Sequence, residues 1–93
     1  MVWKGRINMS VIQTGIYQHY KGPKYEVLGE SRHSETEEVL VIYRALYGEF
    51  GIWVRPMSMF LEQVEMNGVL CPRFSLLEAY PITLGQYANK VPD

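Results

Sequence analysis

The chain is poor in the residues that build closed chemical sites. In 93 residues it has one cysteine, Cys71, and two histidines, His19 and His33. One cysteine excludes an internal disulfide framework. The sequence contains no Cys-x-x-Cys, His-x-His or His-Glu-x-x-His spacing of the kind that closes a metal site, so no metal and no cofactor is expected. Cys71 stands between Leu70 and Pro72 in a strand-like stretch and reads as a small buried thiol, not a nucleophile. "YGEFG" is hairpin-like and does not form the strand-to-helix glycine turn that cradles phosphate. No apolar run approaches the roughly 20 residues that cross a bilayer, and Met1 to Ser10 lacks the apolar block of a signal peptide. A cytoplasmic protein without a membrane partner is expected. Charge of one sign is also lacking: the formal net charge is −1, which argues against strong non-specific binding to nucleic acid through many phosphate contacts.

What is present describes a small globular domain. Hydrophobic residues make up 47% of the chain and charged residues 20%, a balance that supports one core. The charges are unevenly placed. Residues 1–34 hold five basic and two acidic side chains, whereas residues 35–65 hold six glutamates against Arg44 and Arg55. A local basic face is compatible with that distribution. The expected organisation is an N-terminal extension over 1–14, a single domain over 15–80 and a C-terminal tail over 81–93.

Turn signals recur at the spacing of short antiparallel strands. "GIYQHY" alternates Ile16, Gln18 and Tyr20 against Tyr17 and His19. "KGP" breaks it, and "KYEVLGE" resumes, with Gly29 marking a bulge or sharp bend. "SRHSETEE" is a polar connection. "VLVIYRALY" is the longest apolar run; its β-branched and aromatic residues favour a central strand covered on most of both sides over the rival helix. "IWVR" follows and stops at Pro56. "MSMFLE" reads as one helical turn with Met57, Phe60 and Leu61 on one side as a plug. Asn67-Gly68 signals a two-residue type I′ hairpin that sets Met66 against Val69, Glu65 against Leu70 and Val64 against Cys71. The predicted fold is mainly β: a small, strongly bent SH3-like barrel of five or six short antiparallel strands with one short helical turn.

The turn before Trp53 decides which side chains are neighbours. A two-residue Glu49-Phe50 loop would set Arg44 against Arg55, an unfavourable pair of like charges. A three-residue loop ending at Gly51, with that glycine left-handed in a G1 bulge, sets Tyr47 against Trp53 and Ala45 against Arg55. This second register is the expected one. It places Val41, Tyr43, Ala45, Tyr47, Trp53 and Arg55 on one face, with room for the guanidinium over Tyr43 or Trp53. The aromatics of that face read either as core, with Arg55 at the rim beside a glutamate, or as a binding surface.

"RHSETEE" sets a His, a Ser and a Glu nearly side by side. Strand neighbours point to opposite faces, which counts against a nucleophilic arrangement, and loop hydroxyls that satisfy backbone groups are the simpler account. His33 and Glu35 share a face in extended geometry and are the candidates for an acid–base pair. Aromatic and basic residues recur together, as Tyr20-Lys21, Lys24-Tyr25, Tyr43-Arg44, Trp53-x-Arg55 and Arg73-Phe74. Stacking rings beside cations hold single-stranded nucleic acid or modified bases, and the same pairing captures peptides in aromatic cages. The candidate ligand-binding residues are therefore Tyr20, His33, Glu35, Tyr43, Trp53 and Arg55, and no catalytic residue is assigned.

His19-Tyr20-Lys21-Gly22, Tyr25, His33-Ser34-Glu35-Thr36, Tyr43, Leu46-Tyr47-Gly48, Trp53-Val54-Arg55-Pro56, Phe60 and Pro72-Arg73-Phe74 together resemble a small bacterial family of unknown function, DUF1653, over Gly15 to Leu77. The resemblance implies a small, mostly β domain in a bacterial cytoplasm and no known activity. Three roles follow as expectations. The first is a non-catalytic binding module for a nucleic acid, nucleotide or peptide. The second is a small enzyme or accessory subunit using His33 with Glu35. The third is weak self-association through an exposed strand edge.

Overall fold

In the computed structural model the structure describes residues 12–81. Seven strands and one short helix follow one another: β1 (Gly15–His19), β2 (Lys24–Arg32), β3 (Val39–Ala45), β4 (Ile52–Pro56), α1 (Met57–Phe60), β5 (Gln63–Met66), β6 (Val69–Pro72) and β7 (Phe74–Ala79). All pairings are antiparallel. Five strands form one sheet in the order β4-β3-β2-β1-β7, and β5 with β6 forms a separate hairpin. Beyond that hairpin the chain supplies a further strand, β7, which returns to pair with β1.

The apolar run Val39–Ala45 is a strand, as its β-branched residues require. Val41, Tyr43 and Ala45 are buried on one face, while Leu40, Ile42 and Arg44 are half-covered on the other. Gly29 stands at a break in register between β2 and β3, the bulge expected there. A second irregularity lies between Ile16 and Tyr17 where β1 meets β7. Together these two breaks bend the sheet.

The sheet curls without closing. β4 and β7 are its two edges and do not pair, yet the Arg55 guanidinium of β4 lies 5.7 Å from the Phe74 ring of β7. The strongly bent barrel expected here is not a closed one: the sheet stays open, and its gap is plugged by a side chain. That plug is Phe60, carried by α1 directly after Pro56 and only 1% exposed. It stacks face to face on Phe74, ring centroids 4.1 Å apart, and meets the edge of Tyr17 at 5.4 Å. Ile12, Tyr17, Val27, Val41 and Tyr43 complete the core, with Met57 and Tyr25 packed against it. Leu61, expected beside Phe60, is exposed instead, because the helical turn ends at Phe60.

The two hairpins test turn chemistry in opposite ways. Asn67 and Gly68 both have positive φ, 56° and 79°, as a type I′ turn needs. The pairs Met66–Val69, Glu65–Leu70 and Val64–Cys71 form as expected. Cys71 is half-buried, not enclosed. The β3–β4 connection is longer than expected. The left-handed residues are Gly48 and Phe50, not Gly51, and Ala45 N–H donates to Gly51 O at 2.9 Å. Trp53 therefore faces Tyr43, and Arg55 faces Val41. The slide is an even number of residues, so Val41, Tyr43, Ala45, Trp53 and Arg55 still share one face. Tyr47 leaves that row and sits in the loop.

Candidate functional site

The curl of the sheet gathers an aromatic and cationic surface around its mouth. Phe74 is the centre: His19 meets it edge-on at 5.0 Å, Tyr25 at 5.6 Å and Tyr43 at 5.9 Å. Arg55 lies over the same ring, and its Nε donates to the Tyr43 hydroxyl at 3.4 Å. The glutamate expected to partner Arg55 is not there; among the described residues Arg55 joins no ion pair. Arg73 does, through Nη2 to Glu62 Oε1 at 2.9 Å. Lys21 reaches over Tyr20 at 5.7 Å from its ring centre.

Two titrating groups report on this environment. Burial holds His19 below the ordinary imidazole value, and the positive charges of Arg73, Arg55 and Lys21 push it further in the same direction. Tyr25 is pushed up to about 12, first by burial, then by its hydrogen bond to Tyr47 and the neighbouring Tyr47 and Tyr43, with Arg55 acting the other way. The Tyr25 and Tyr47 hydroxyls lie 2.7 Å apart. The mouth is thus positive, aromatic and rich in hydroxyls. That arrangement can hold an anion and stack a flat ring.

Beside it, a cleft of about 310 Å³ opens between Gln18, His19 and Tyr20 of β1 and its following turn, and Met66, Cys71 and Pro72 of the second hairpin. His19 and Tyr20 stack with centroids 4.6 Å apart, so the cleft and the Phe74 mouth share a wall. Its volume is at the small end of ligand pockets.

The candidate residues divide into two groups. Tyr43, Trp53 and Arg55 are neighbours on β3 and β4: Tyr43 is buried, Arg55 half-buried, and Trp53 60% exposed because β4 is an edge. Tyr20 joins them by way of His19 and Phe74. His33 and Glu35 stand apart in the β2–β3 loop, and among the described residues no hydrogen bond or ion pair links them to Trp53 or Arg55. His33 Nδ1 accepts the backbone N–H groups of Glu35 and Thr36 at 3.1 and 3.3 Å. Glu35 meets His33 through its main chain and not through its carboxylate, so no acid–base pair is formed. Thr36 Oγ1 accepts from the Glu38 N–H, the local satisfaction expected of such a loop. Among the described residues no three His, Cys, Asp or Glu side chains converge as metal ligands. No helix among them is long and apolar enough to cross a membrane.

His19, Lys21, Tyr25, Arg73 and Phe74 belong to the mouth but were not among the site residues expected from sequence. The signal was present in the aromatic–basic pairs Tyr20-Lys21, Lys24-Tyr25 and Arg73-Phe74; what the sequence could not supply is the curl that brings three such pairs together.

The model of the family described as "Protein of unknown function (DUF1653)" matches residues 15–76. The crystal structure of a DUF1653 protein from Bordetella bronchiseptica is similar at 34% identity and a TM-score of 0.68, over 77% of this chain and 95% of that one. No curated protein matches the chain. The matched span runs from β1 into β7 and contains every residue of the mouth.

Proposed function

This chain belongs to the DUF1653 family, a membership that carries no activity, and from its own geometry we propose a non-catalytic binding module for an anion that bears a flat ring, a nucleotide or a single strand of nucleic acid. One observation carries the reading: Arg55, without a carboxylate partner among the described residues, converges with Lys21 and Arg73 on His19 beside exposed and half-exposed aromatic rings. Cations alone would bind any anion, and rings alone any apolar ligand; their interleaving favours phosphate joined to base. The scaffold reading that accompanies it is an SH3-like barrel left open between β4 and β7.

In this reading Arg55 grips phosphate while Tyr20, Tyr47 and Trp53 offer ring faces. Tyr43 positions Arg55 through its hydroxyl and does not touch the ligand. The test uses a Trp3→Phe background, which leaves Trp53 as the sole tryptophan, and titrates mononucleotides, short oligonucleotides and acidic peptides. Quenching of Trp53 and amide shifts at His19, Tyr25 and Arg55 are expected with the first two. Arg55→Gln should weaken binding at least tenfold with the amide spectrum otherwise kept. Arg55→Lys should recover part of the loss, because the charge remains while the planar contact over Phe74 does not. No shift at the mouth with any nucleotide or oligonucleotide refutes the reading, and a response to acidic peptides alone replaces its ligand.

A further inference from the structure

Independently of any ligand, we infer that β4 is a self-association edge: two copies of this chain pair their β4 strands antiparallel about a two-fold axis through Trp53. The direction of the main chain along β4 fixes which groups are available. Ala45 N–H donates to Gly51 O, and the Ala45–Gly51 alignment continues through Tyr43–Trp53 and Val41–Arg55. Gly51, Trp53 and Arg55 therefore turn their N–H and C=O towards β3, and Ile52 and Val54 turn theirs outward from the sheet. Those two residues are 58% exposed each, and β4 has no neighbour on that side.

A register centred on Trp53 uses every outward group. Ile52 of one copy lies opposite Val54 of the other, and each such pair exchanges both of its hydrogen bonds. On one face the aliphatic side chains of Ile52 and Val54 meet their counterparts. On the other, Trp53 meets Trp53, and Arg55 lies opposite Gly51, so no like charges are opposed. Phe50, 54% exposed, comes opposite Pro56. A register centred on Val54 would set Ile52 against Pro56, which has no N–H to give, and would lose bonds.

The other edges are blunted where β4 is not. β7 carries Glu78 and an irregular pairing with β1, both of which discourage a further strand. β5 carries Glu65, and the two strands of its hairpin with β6 are only four residues long each. β4 pairs regularly along its length, and its one charged side chain, Arg55, turns to the mouth. The area also suits a second copy. Tyr47, Phe50, Ile52, Trp53 and Val54 are each about half exposed, and on the order of 100 Å² from each gives roughly 1,000 Å² over two copies, the threshold of a specific interface. Association should accordingly be weak and concentration-dependent.

The test is sedimentation velocity on the wild-type chain from about 10 to about 500 µM, joined to amide hydrogen exchange at both ends of that range. The sedimentation coefficient should rise with concentration, and the Ile52 and Val54 amides should gain protection only when the protein is concentrated. Val54→Pro removes an outward donor and leaves the β3 ladder whole, so it should weaken association at least tenfold with the fold unchanged. Ile52→Lys, which needs no change of backbone, should do the same. Leu70→Lys, an equally exposed apolar position on β6, should leave association intact. A wild type that stays monomeric throughout overturns the inference. So does association that survives both β4 variants, or that is lost only in Leu70→Lys.

Discussion

His19 and His33 perform the same local task with different surroundings. Each accepts backbone N–H groups at Nδ1, from Lys21 in one case and from Glu35 and Thr36 in the other, and each thereby closes the turn that follows it. Only His19 is also wrapped by cations. Because its folded-state value lies below the unfolded one, both states are neutral well above the ordinary imidazole value of about 6.5, and stability falls as the pH drops through that value, when the unfolded chain takes a proton that the folded chain resists. Denaturant midpoints measured between about pH 7.5 and 5 should decline, and His19→Asn should remove part of that decline. Occupation of the mouth by an anion should have the opposite effect on the imidazole: NMR titration should show His19 moving up on adding a nucleotide, and binding should tighten as the pH falls. A His19 titration indifferent to ligand would count against the site. At this scale the sequence was a poor guide. Two histidines in polar, turn-rich contexts look alike as letters, and the Arg73, Arg55 and Lys21 charges that separate them come from three different elements.

Among the elements, the shortest ones do the most. α1 is a single turn, yet it delivers Phe60 to the gap that an unclosed sheet leaves. Removing that ring should cost about 3–5 kcal/mol, since a stacked and edge-packed aromatic leaves a cavity its neighbours cannot fill. Phe60→Ala is expected to lower the urea midpoint accordingly and to release Phe74 and Tyr17, visible in their ring resonances. A comparable effect is expected where β1 meets β7. Gly15 has φ 146°, and a Cβ there would run into the Glu78 carbonyl oxygen, a backbone atom that cannot step aside. Gly15→Ala should therefore loosen the β1–β7 pairing and speed amide exchange along β7 before it affects β3. Strands and hairpins were legible to unequal degrees for a physical reason. Asn67-Gly68 permits one tight turn, and one turn fixes one register. The Leu46–Phe50 connection places a phenylalanine at φ 57°, a conformation that composition does not announce, and its five residues leave the register to be set by packing. Parity survived because burial of Val41, Tyr43 and Ala45 forbids a slip of one residue but allows a slip of an even number.

For the molecule as a whole, the net charge of −1 conceals a division. Six glutamates crowd residues 35–65, whereas two of the three cations that meet at His19, Lys21 and Arg73, come from outside that stretch, and the curl of the sheet gathers them with Arg55. The same curl explains why the mouth was not foreseen as one place: its members come from all five strands of the sheet and the turns beside them, and only an open sheet bent until its edges approach brings Arg55 to Phe74. A site built this way has a characteristic dependence on salt. If Lys21, Arg55 and Arg73 each neutralise one phosphate of a single strand, the logarithm of the association constant should fall with the logarithm of salt concentration at a slope of about −2, since each contact contributes roughly 0.7. Fluorescence titrations of a short oligonucleotide at several salt concentrations would measure that slope, and Arg55→Gln should make it shallower by about 0.7. Arg73 is already paired with Glu62, so Arg73→Gln should change the slope less than Arg55→Gln does. A slope near zero would mean that the rings bind without the cations. A slope much steeper than −2 would require basic residues outside the mouth, where the acidic side chains of a chain with nine basic and ten acidic residues oppose them.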